Sequence, residues 1–382
     1  MRVGKTLFGL KRTALLCLFV CGCLSVAACQ KEGADAAKTQ QLSTAETRDQ
    51  LKEPSQSTAV EVSTSLSLQT IEGSAMGTSY HIKLALTPAQ VEQKDRLAAA
   101  IAGVLEDVEN KMSTYRPQSE LSRFNAAPID TWIPVSDDTL KVVSVALSLS
   151  QRSQGAYDIT VGPLVNLWGF GPPHHEDKVP SQAEIDAAAK LVGYQKLEID
   201  SLNKQWKKSS ALYVDLSSIA KGFGVDKVIE LIEQEGIHHA LVEIGGEIRS
   251  IGKKAEDQSW RIAIESPTAH ERNIQRIVNI NDIAVATSGD YRNYFEKDGK
   301  RYSHTIDPAT AYPITHTLAS VSVVAENCMI ADGLATTLMV LGPEKGFKFA
   351  RDNSLAVFMI IKGANGFEER FTDEFRQYLV QE

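Results

Sequence analysis

From Leu66 onward, apolar residues recur with two different periods, and these divide the chain into helices and strands. Alternation from Tyr80 to Leu86, after Gly73-Ser-Ala-Met-Gly77, predicts a strand. Leu97, Ile101, Val104, Leu105, Val108 and Met112 keep helical spacing, so one helix is predicted over residues 88–112, stopped ahead of Pro117. Ser136, followed by Asp137 and Asp138, opens a second helix running toward Gly155. The capping box Ser181-Gln-Ala-Glu184 opens a third, which ends at Gly193. Strand-like runs then dominate, at 196–200, 212–216, 240–244, 260–265, 276–280, 283–287, 318–325 and 355–361. Helices near 218–235, 328–341 and 344–353 interrupt them. Short loops between neighbouring runs favour antiparallel pairing, so the expected class is α+β, with mostly antiparallel sheets packed with helices.

The first 28 residues break this pattern. Basic residues precede an apolar run from Ala14 to Ala28, which is shorter than a membrane span requires. The run ends Ser25-Val26-Ala27-Ala28-Cys29, which resembles a bacterial lipobox and implies cleavage before Cys29 with diacylglycerol on its sulfur. An uncleaved anchor and a plain secretory signal are the alternatives. The expected location is the periplasmic face of a bacterial membrane, and Gln30 after the cysteine favours the outer one. No aromatic occurs between Phe19 and Tyr80, and residues 29–65 read as a flexible tether reaching roughly 30–35 Å. The expected layout is therefore a leader at 1–28, a tether at 29–65 and a folded domain at 66–382.

Composition adds exclusions. At 43% hydrophobic and 23% charged, the chain is ordinary for a globular protein. Its net charge of −8 falls by four, to −12, once Arg2, Lys5, Lys11 and Arg12 leave with the leader. So acidic a protein is ill-suited to wrapping nucleic acid, and a phosphorylated ligand would need local cations. Cys17, Cys21 and Cys23 lie in the leader and Cys29 would be acylated, which leaves Cys328 alone. That excludes an internal disulfide and a cysteine zinc site in the mature chain, and Cys328 reads as a small buried hydrophobe.

The candidate chemistry gathers in a few segments. Asp332 and Thr336 stand four apart on an otherwise apolar helix, so they share a face and offer two hard oxygens to a cation such as Mg²⁺. The competing reading has Asp332 serve the helix dipole while Thr336 merely packs. Val214-Asp-Leu-Ser-Ser-Ile-Ala-Lys-Gly-Phe-Gly-Val225 is a turn into a helix, where amide groups and Lys221 suit a phosphate, or where an ordinary turn carries a solvated lysine. Asp158, amid apolar and glycine-rich sequence, suits a ribose or base edge, or caps the following turn. Tyr115 and Arg116 suit a flat ring, or are simply exposed. His304, on a predicted strand, is either a general base or structural, and His174/His175 and His238/His239 read as surface or turn residues. From the residues alone, the reading stops at a metal-assisted site for a phosphorylated ligand.

Taken together, the blocks GSAMGTSY, MSTYRPQSELSRFN, AYDITVGPLVNLWGFGP, VDLSSIAKGFGVD, VEIGGEIRSIG, SGDYRNYF, YSHTIDP and ADGLATTLMVLG resemble the ApbE family. These are FAD:protein FMN transferases, formerly described as thiamine-biosynthesis lipoproteins. The resemblance runs from about Gly73 to the C-terminus. It implies an ApbE-like (T-fold-like) α+β flavin transferase domain that binds FAD in a cleft and uses Mg²⁺. It implies that Met76 and Tyr115 contact the flavin, that Ala156, Tyr157 and Asp158 hold the cofactor, and that Asp215, Lys221 and Ile306 border it. It also implies that the Ser218 carbonyl, the Asp332 carboxylate and the Thr336 hydroxyl hold the metal.

The implied reaction moves FMN from FAD to a Thr or Ser hydroxyl of an exported flavoprotein, such as a redox-pump subunit, and releases AMP. His304 is the candidate base, with Asp332 or a metal-bound water as rivals. An FAD pyrophosphatase and a non-catalytic FAD-binding lipoprotein are the alternative functions. Two residues depart from the family pattern: Ala311, where glycine is common, and Ala335, which is acidic in some members.

Overall fold

Eight runs of alternating or fully apolar residues pair into one sheet, and they lie in it in the order they occur in the chain. They are β1 (Ser67–Ala75), β2 (Thr78–Leu86), β3 (Ala240–Ile244), β4 (Glu247–Ile251), β5 (Ala284–Gly289), β6 (Leu318–Ala325), β7 (Ala356–Gly363) and β8 (Gly366–Phe371). The structure is a computed structural model that describes residues 65–171, 178–254, 257–267, 273–291 and 293–380. The leader, Cys29, the tether and His174/His175 lie outside the described residues. Every strand pairing among the described residues is antiparallel, as the short loops predict.

Both faces of this sheet are covered. Ile82 and Leu84 of β2, with Val242 and Ile244 of β3, pack under two helices, α1 (Lys94–Met112) and α3 (Ala220–Gln234). Val321 and Val323 of β6 and Met359 of β7 lie in a second cluster with α2 (Asp137–Arg152) and α4 (Cys328–Asp352). On the opposite face, Leu241, Val285, Val324, Phe358 and Ile360 meet Trp260, Ile264, Val278 and Ile280 of a separate hairpin, Trp260–Glu265 with Ile274–Ile280. Burial on both sides explains why β6 is buried from Leu318 to Val324, Ser320 and Ser322 included.

Three local differences from the sequence expectation have physical causes. The helix expected over 88–112 is two helices, Pro88–Val91 and α1. A complete capping box of Thr87 and Gln90 forms around the first, which buries no residue, and Gln93 N–H bonds back to Gln90 O at 3.1 Å. The run at 212–216 is extended but joins no sheet, because Asn125 imitates a neighbouring strand. Its Nδ2 donates to Val214 O and its Oδ1 accepts from Val214 N, both at 2.8 Å. His304 lies on a bend just after the strand Lys300–Ser303 rather than within it.

The predicted break near residue 342 is present. Gly342 adopts φ 74° ahead of Pro343 and divides α4, and a Cβ there would meet the His316 ring at 2.6 Å. Ala311 also sits at positive φ, 63°, in the turn between Ile306–Asp307 and Tyr312–Pro313. Glycine would adopt this backbone freely, whereas alanine carries about 1 kcal/mol of strain.

The start of α4 is held from outside the helix. Asn327 Oδ1 accepts from Ile330 N at 3.0 Å, a side-chain N-cap. Asp226, buried on α3, accepts from the amides of Cys328 and Met329, each at 2.9 Å, and from Arg249 Nη1 at 2.7 Å. One carboxylate thus joins two helices and a strand. Asp226→Ala removes those acceptors and leaves a partly buried guanidinium unpaired. It should lower stability by about 3 kcal/mol, seen as an earlier urea midpoint at unchanged slope.

Candidate active site

The site is built where α3 and α4 touch. A Cβ at Gly222 would lie 2.3 Å from the Cys328 carbonyl oxygen and 2.8 Å from Asp332 Cβ, so only glycine allows the approach. At this distance the Gly222 amide donates to Asp332 Oδ2 at 3.0 Å. Gly222 is the third residue of α3, so its amide is one of those that a helix start leaves without an intrahelical partner. Asp332 satisfies it, and the Ser218 carbonyl lies outside the helical ladder because Ser218 precedes α3. Thr336 follows one turn later on the same face of α4, its Oγ1 3.5 Å from Ser288 Oγ at the end of β5. The Ser218 hydroxyl donates to the Tyr157 hydroxyl at 2.9 Å. Ser218, Asp332 and Thr336 therefore supply only hard oxygens, the donor type that suits Mg²⁺.

Charge in this region is unbalanced. Lys221, on the first turn of α3, places Nζ 2.6 Å from Glu247 Oε2 at the start of β4. Glu247 is 3% exposed, and burial raises its pKa while the Lys221 ammonium in contact with it pulls toward the ionised form. Burial likewise raises Asp332, against the opposing effects of Lys221 and the Gly222 amide. Burial works against the Lys221 charge, but Glu247 and Asp332 outweigh it and its pKa is raised. Two buried acids thus share one ammonium.

Aromatic surfaces stand beside these charges. Tyr115, on the loop after α1, is 65% exposed, and Tyr213 is half-buried. Burial raises the pKa of both hydroxyls, and Asp215 adds to it, which places that carboxylate near both rings. Asp215 is fixed by its own turn, where Oδ1 accepts from Ser217 N at 2.8 Å. Met76 occupies the two-residue β1–β2 turn at φ 54°, with Gly77 at φ 73°. Its amide donates to Glu109 Oε1 at 2.5 Å, and its sulfur would lie 2.9 Å from a Cβ at Gly224, so it rests on α3.

His304 lies within electrostatic reach of Lys221. Its Nδ1 lies 3.0 Å from Asn293 O, and a carbonyl can only accept, so Nδ1 carries the proton and Nε2 presents its lone pair. Burial lowers the pKa of the ring, and Lys221 lowers it further. The imidazole is therefore neutral at pH 7.

Two of the expected residues are turned inward. Asp158 Oδ1 accepts from Thr160 N and Oγ1 at 2.8 and 2.6 Å, and Oδ2 accepts from Tyr194 N at 2.9 Å, so it closes the turn rather than opening to a ligand. Ile306 is 4% exposed and packs with Trp168 and Ala311. Ala156 is half-buried, beside the fully enclosed Tyr157. Ala335 is buried in the apolar cluster, so the absence of an acid there takes no ligand from the group at Ser218, Asp332 and Thr336. A groove of about 840 Å³ on the other face of the sheet, lined by His81, Lys83, Glu243 and Arg261 among others, receives none of the expected residues.

The ApbE family model matches residues 76–359, which span all of these positions. The chain belongs to the ApbE family. A Vibrio cholerae serotype O1 protein named FAD:protein FMN transferase is 48% identical over 309 residues, covering 81% of this chain and 92% of its own. The Escherichia coli K12 protein of the same name is 40% identical over 338 residues, covering 87% and 94%. The solved structure of the flavin transferase ApbE from Vibrio cholerae superposes with a TM-score of 0.76 at 45% identity, covering 82% of this chain and all of that one. The apo flavinyl transferase ApbE of Pseudomonas stutzeri gives 0.75 at 41% identity, covering 82% and 97%. The mixed helix and antiparallel-sheet architecture is thus that of solved ApbE proteins.

Within this ApbE fold, sequence reasoning missed Glu247 and Asp226. Each lies in a mixed polar stretch that reads as solvated, and each is buried only by contacts distant in sequence. The glycine-rich VEIGGEI turn was the available signal for Glu247. Gly245 and Gly246 adopt φ 59° and 102°, and a Cβ at Gly245 would meet Thr78 at 2.7 Å, which seats the β3–β4 hairpin against the start of β2. Gly222→Ala should force α3 and α4 apart and lower stability by about 1–3 kcal/mol, as checked by urea unfolding. It should also weaken any cation-induced rise in melting temperature more than Gly103→Ala, where a Cβ meets nothing within 4 Å.

Proposed function

We propose that this protein transfers FMN from FAD to a Ser or Thr hydroxyl of an exported flavoprotein, forming a phosphoester and releasing AMP. The observation that carries this reading is the contact of Asp332 with the start of α3, which sets a carboxylate and a hydroxyl of α4 beside the Ser218 turn with Lys221 alongside. Ser218, Asp332 and Thr336 would hold Mg²⁺, which when bound supplies positive charge against the dinucleotide's phosphates. The relatives' names support the donor and the group transferred.

The remaining work falls to the protein's own groups. The acceptor oxygen forms a bond to the flavin-side phosphorus. The bond from that phosphorus to the oxygen bridging to AMP breaks, and its electron pair leaves with AMP. Lys221 lies where an ammonium can offset charge on the departing phosphate. His304 Nε2 accepts the hydroxyl proton. Tyr115, Tyr213 and Met76 offer flat or polarisable surface to an isoalloxazine ring. The lipobox-like segment would hold the enzyme by Cys29 at the periplasmic face of a membrane, where exported acceptors are found.

The test is incubation of the protein with FAD, Mg²⁺ and an acceptor protein bearing an Asp-Gly-x-Ser/Thr sequence. Flavin fluorescence on the denatured acceptor, with AMP released in equal amount, is the expected result. FMN and AMP without labelling would establish a pyrophosphatase, and bound FAD without AMP a passive carrier. Asp332→Asn keeps an acceptor for the Gly222 amide but removes the charge, so it should stay folded and show no labelling above background. His304→Gln should lower turnover by about 10²–10⁴-fold with FAD binding retained. Because burial holds the His304 pKa below the ordinary 6.5, the wild-type rate should fall only as pH drops beneath that value, and this acid limb should vanish in His304→Gln.

A further inference from the structure

The buried acid Glu247 is not used by the reaction as proposed. It sits at the first residue of β4, 3% exposed, with Lys221 Nζ 2.6 Å away. Lys221 has two carboxylates in electrostatic reach, Glu247 and Asp332. Among the described residues the one that pairs with it is Glu247, while Asp332 acts on it only through space. An ammonium and a divalent cation compete for the same carboxylate oxygens, since each neutralises the charge that attracts the other. A lysine one residue from the Gly222–Asp332 contact, on a flexible four-carbon stem, is the natural counter-ion for Asp332 unless something else holds it.

We propose that Glu247 is a positioning residue that holds the Lys221 ammonium away from Asp332 and so keeps Asp332 available for a divalent cation. This rests on the cation reading given above. The placement of Glu247 follows from its turn. Ile244 pairs with Glu247 across the two-glycine link, so the strand register rather than a flexible loop fixes the carboxylate. Gly245 lies against Thr78, so the hairpin cannot swing outward without losing that contact. A fixed carboxylate under a mobile lysine stem restricts Lys221 to one region, and the same tether leaves its ammonium in place for a phosphate.

Glu247→Gln is nearly isosteric and removes the charge that attracts Lys221. Calorimetric titration of Mg²⁺ into the protein without FAD should show binding weakened on the order of tenfold or more. A crystal structure of the variant should show Lys221 Nζ in direct contact with the Asp332 carboxylate. Adding Lys221→Met to Glu247→Gln removes the competitor and should restore Mg²⁺ binding to the wild-type level. Should Glu247→Gln fold poorly, Glu247→Asp keeps the charge one methylene further back and should weaken binding by a few-fold. Unchanged Mg²⁺ affinity in Glu247→Gln, or Lys221 still directed at residue 247 in its crystal structure, overturns this inference alone. A wild-type protein that takes up no Mg²⁺ overturns the cation reading and this inference with it.

Discussion

The contact between α3 and α4 at Gly222 is the constraint on which the rest of the site depends. It is a steric condition, since nothing larger than hydrogen fits between the Gly222 Cα and the Cys328 carbonyl. Its consequence is electronic, because it brings a carboxylate within reach of a helix-start amide that has no partner in its own helix. Asp226 reinforces the same junction from the next turn of α3 by accepting the first two amides of α4. Two acids from different helices thus each satisfy an amide of the facing helix, and the relative position of α3 and α4 is fixed by directed bonds as well as by packing. A helix pair joined only by apolar side chains would slide by fractions of an ångström. This one is pinned.

The charge pattern shows what such a junction makes tolerable. Buried carboxylates are normally paired one to one, because an uncompensated ion in a low-dielectric interior is expensive. Here Glu247 pairs with a single ammonium that also acts on Asp332 through space, and burial opposes the charge on both acids. A fold selected only for stability would have replaced one of them with an apolar residue. Retaining both makes sense where a further positive charge arrives with a ligand. The surrounding framework then carries the penalty until it does.

Legibility in the sequence followed the range of the interactions. The Ser181–Glu184 capping box, the apolar stripe of α1, the break before Pro343 and the shared face of Asp332 and Thr336 are set within a turn or two, and all were readable. The antiparallel class was readable for the same reason, from loop lengths. Asp158 admitted two readings, and the turn-closing one holds because Thr160 and Tyr194 supply three donors. What stayed hidden depends on partners far along the chain. Glu247 and Asp226 look like surface acids until β4 and α4 are brought against α3. The stretch at 212–216 has the composition of a strand, and only the Asn125 amide, from a helix distant in sequence, explains why no strand pairs with it.

The sheet takes its strands in chain order, but nearly every group in the site belongs to an excursion between strands. Ser218, Lys221 and Gly222 lie between β2 and β3, His304 between β5 and β6, and Asp332 and Thr336 between β6 and β7. A chain with half its ladder formed therefore holds at most part of the pocket, however native its secondary structure. Such non-local assembly places site formation at the slow end of folding. It also means that any ligand gripped there recognises the finished topology alone, and by mass action draws the population toward completion.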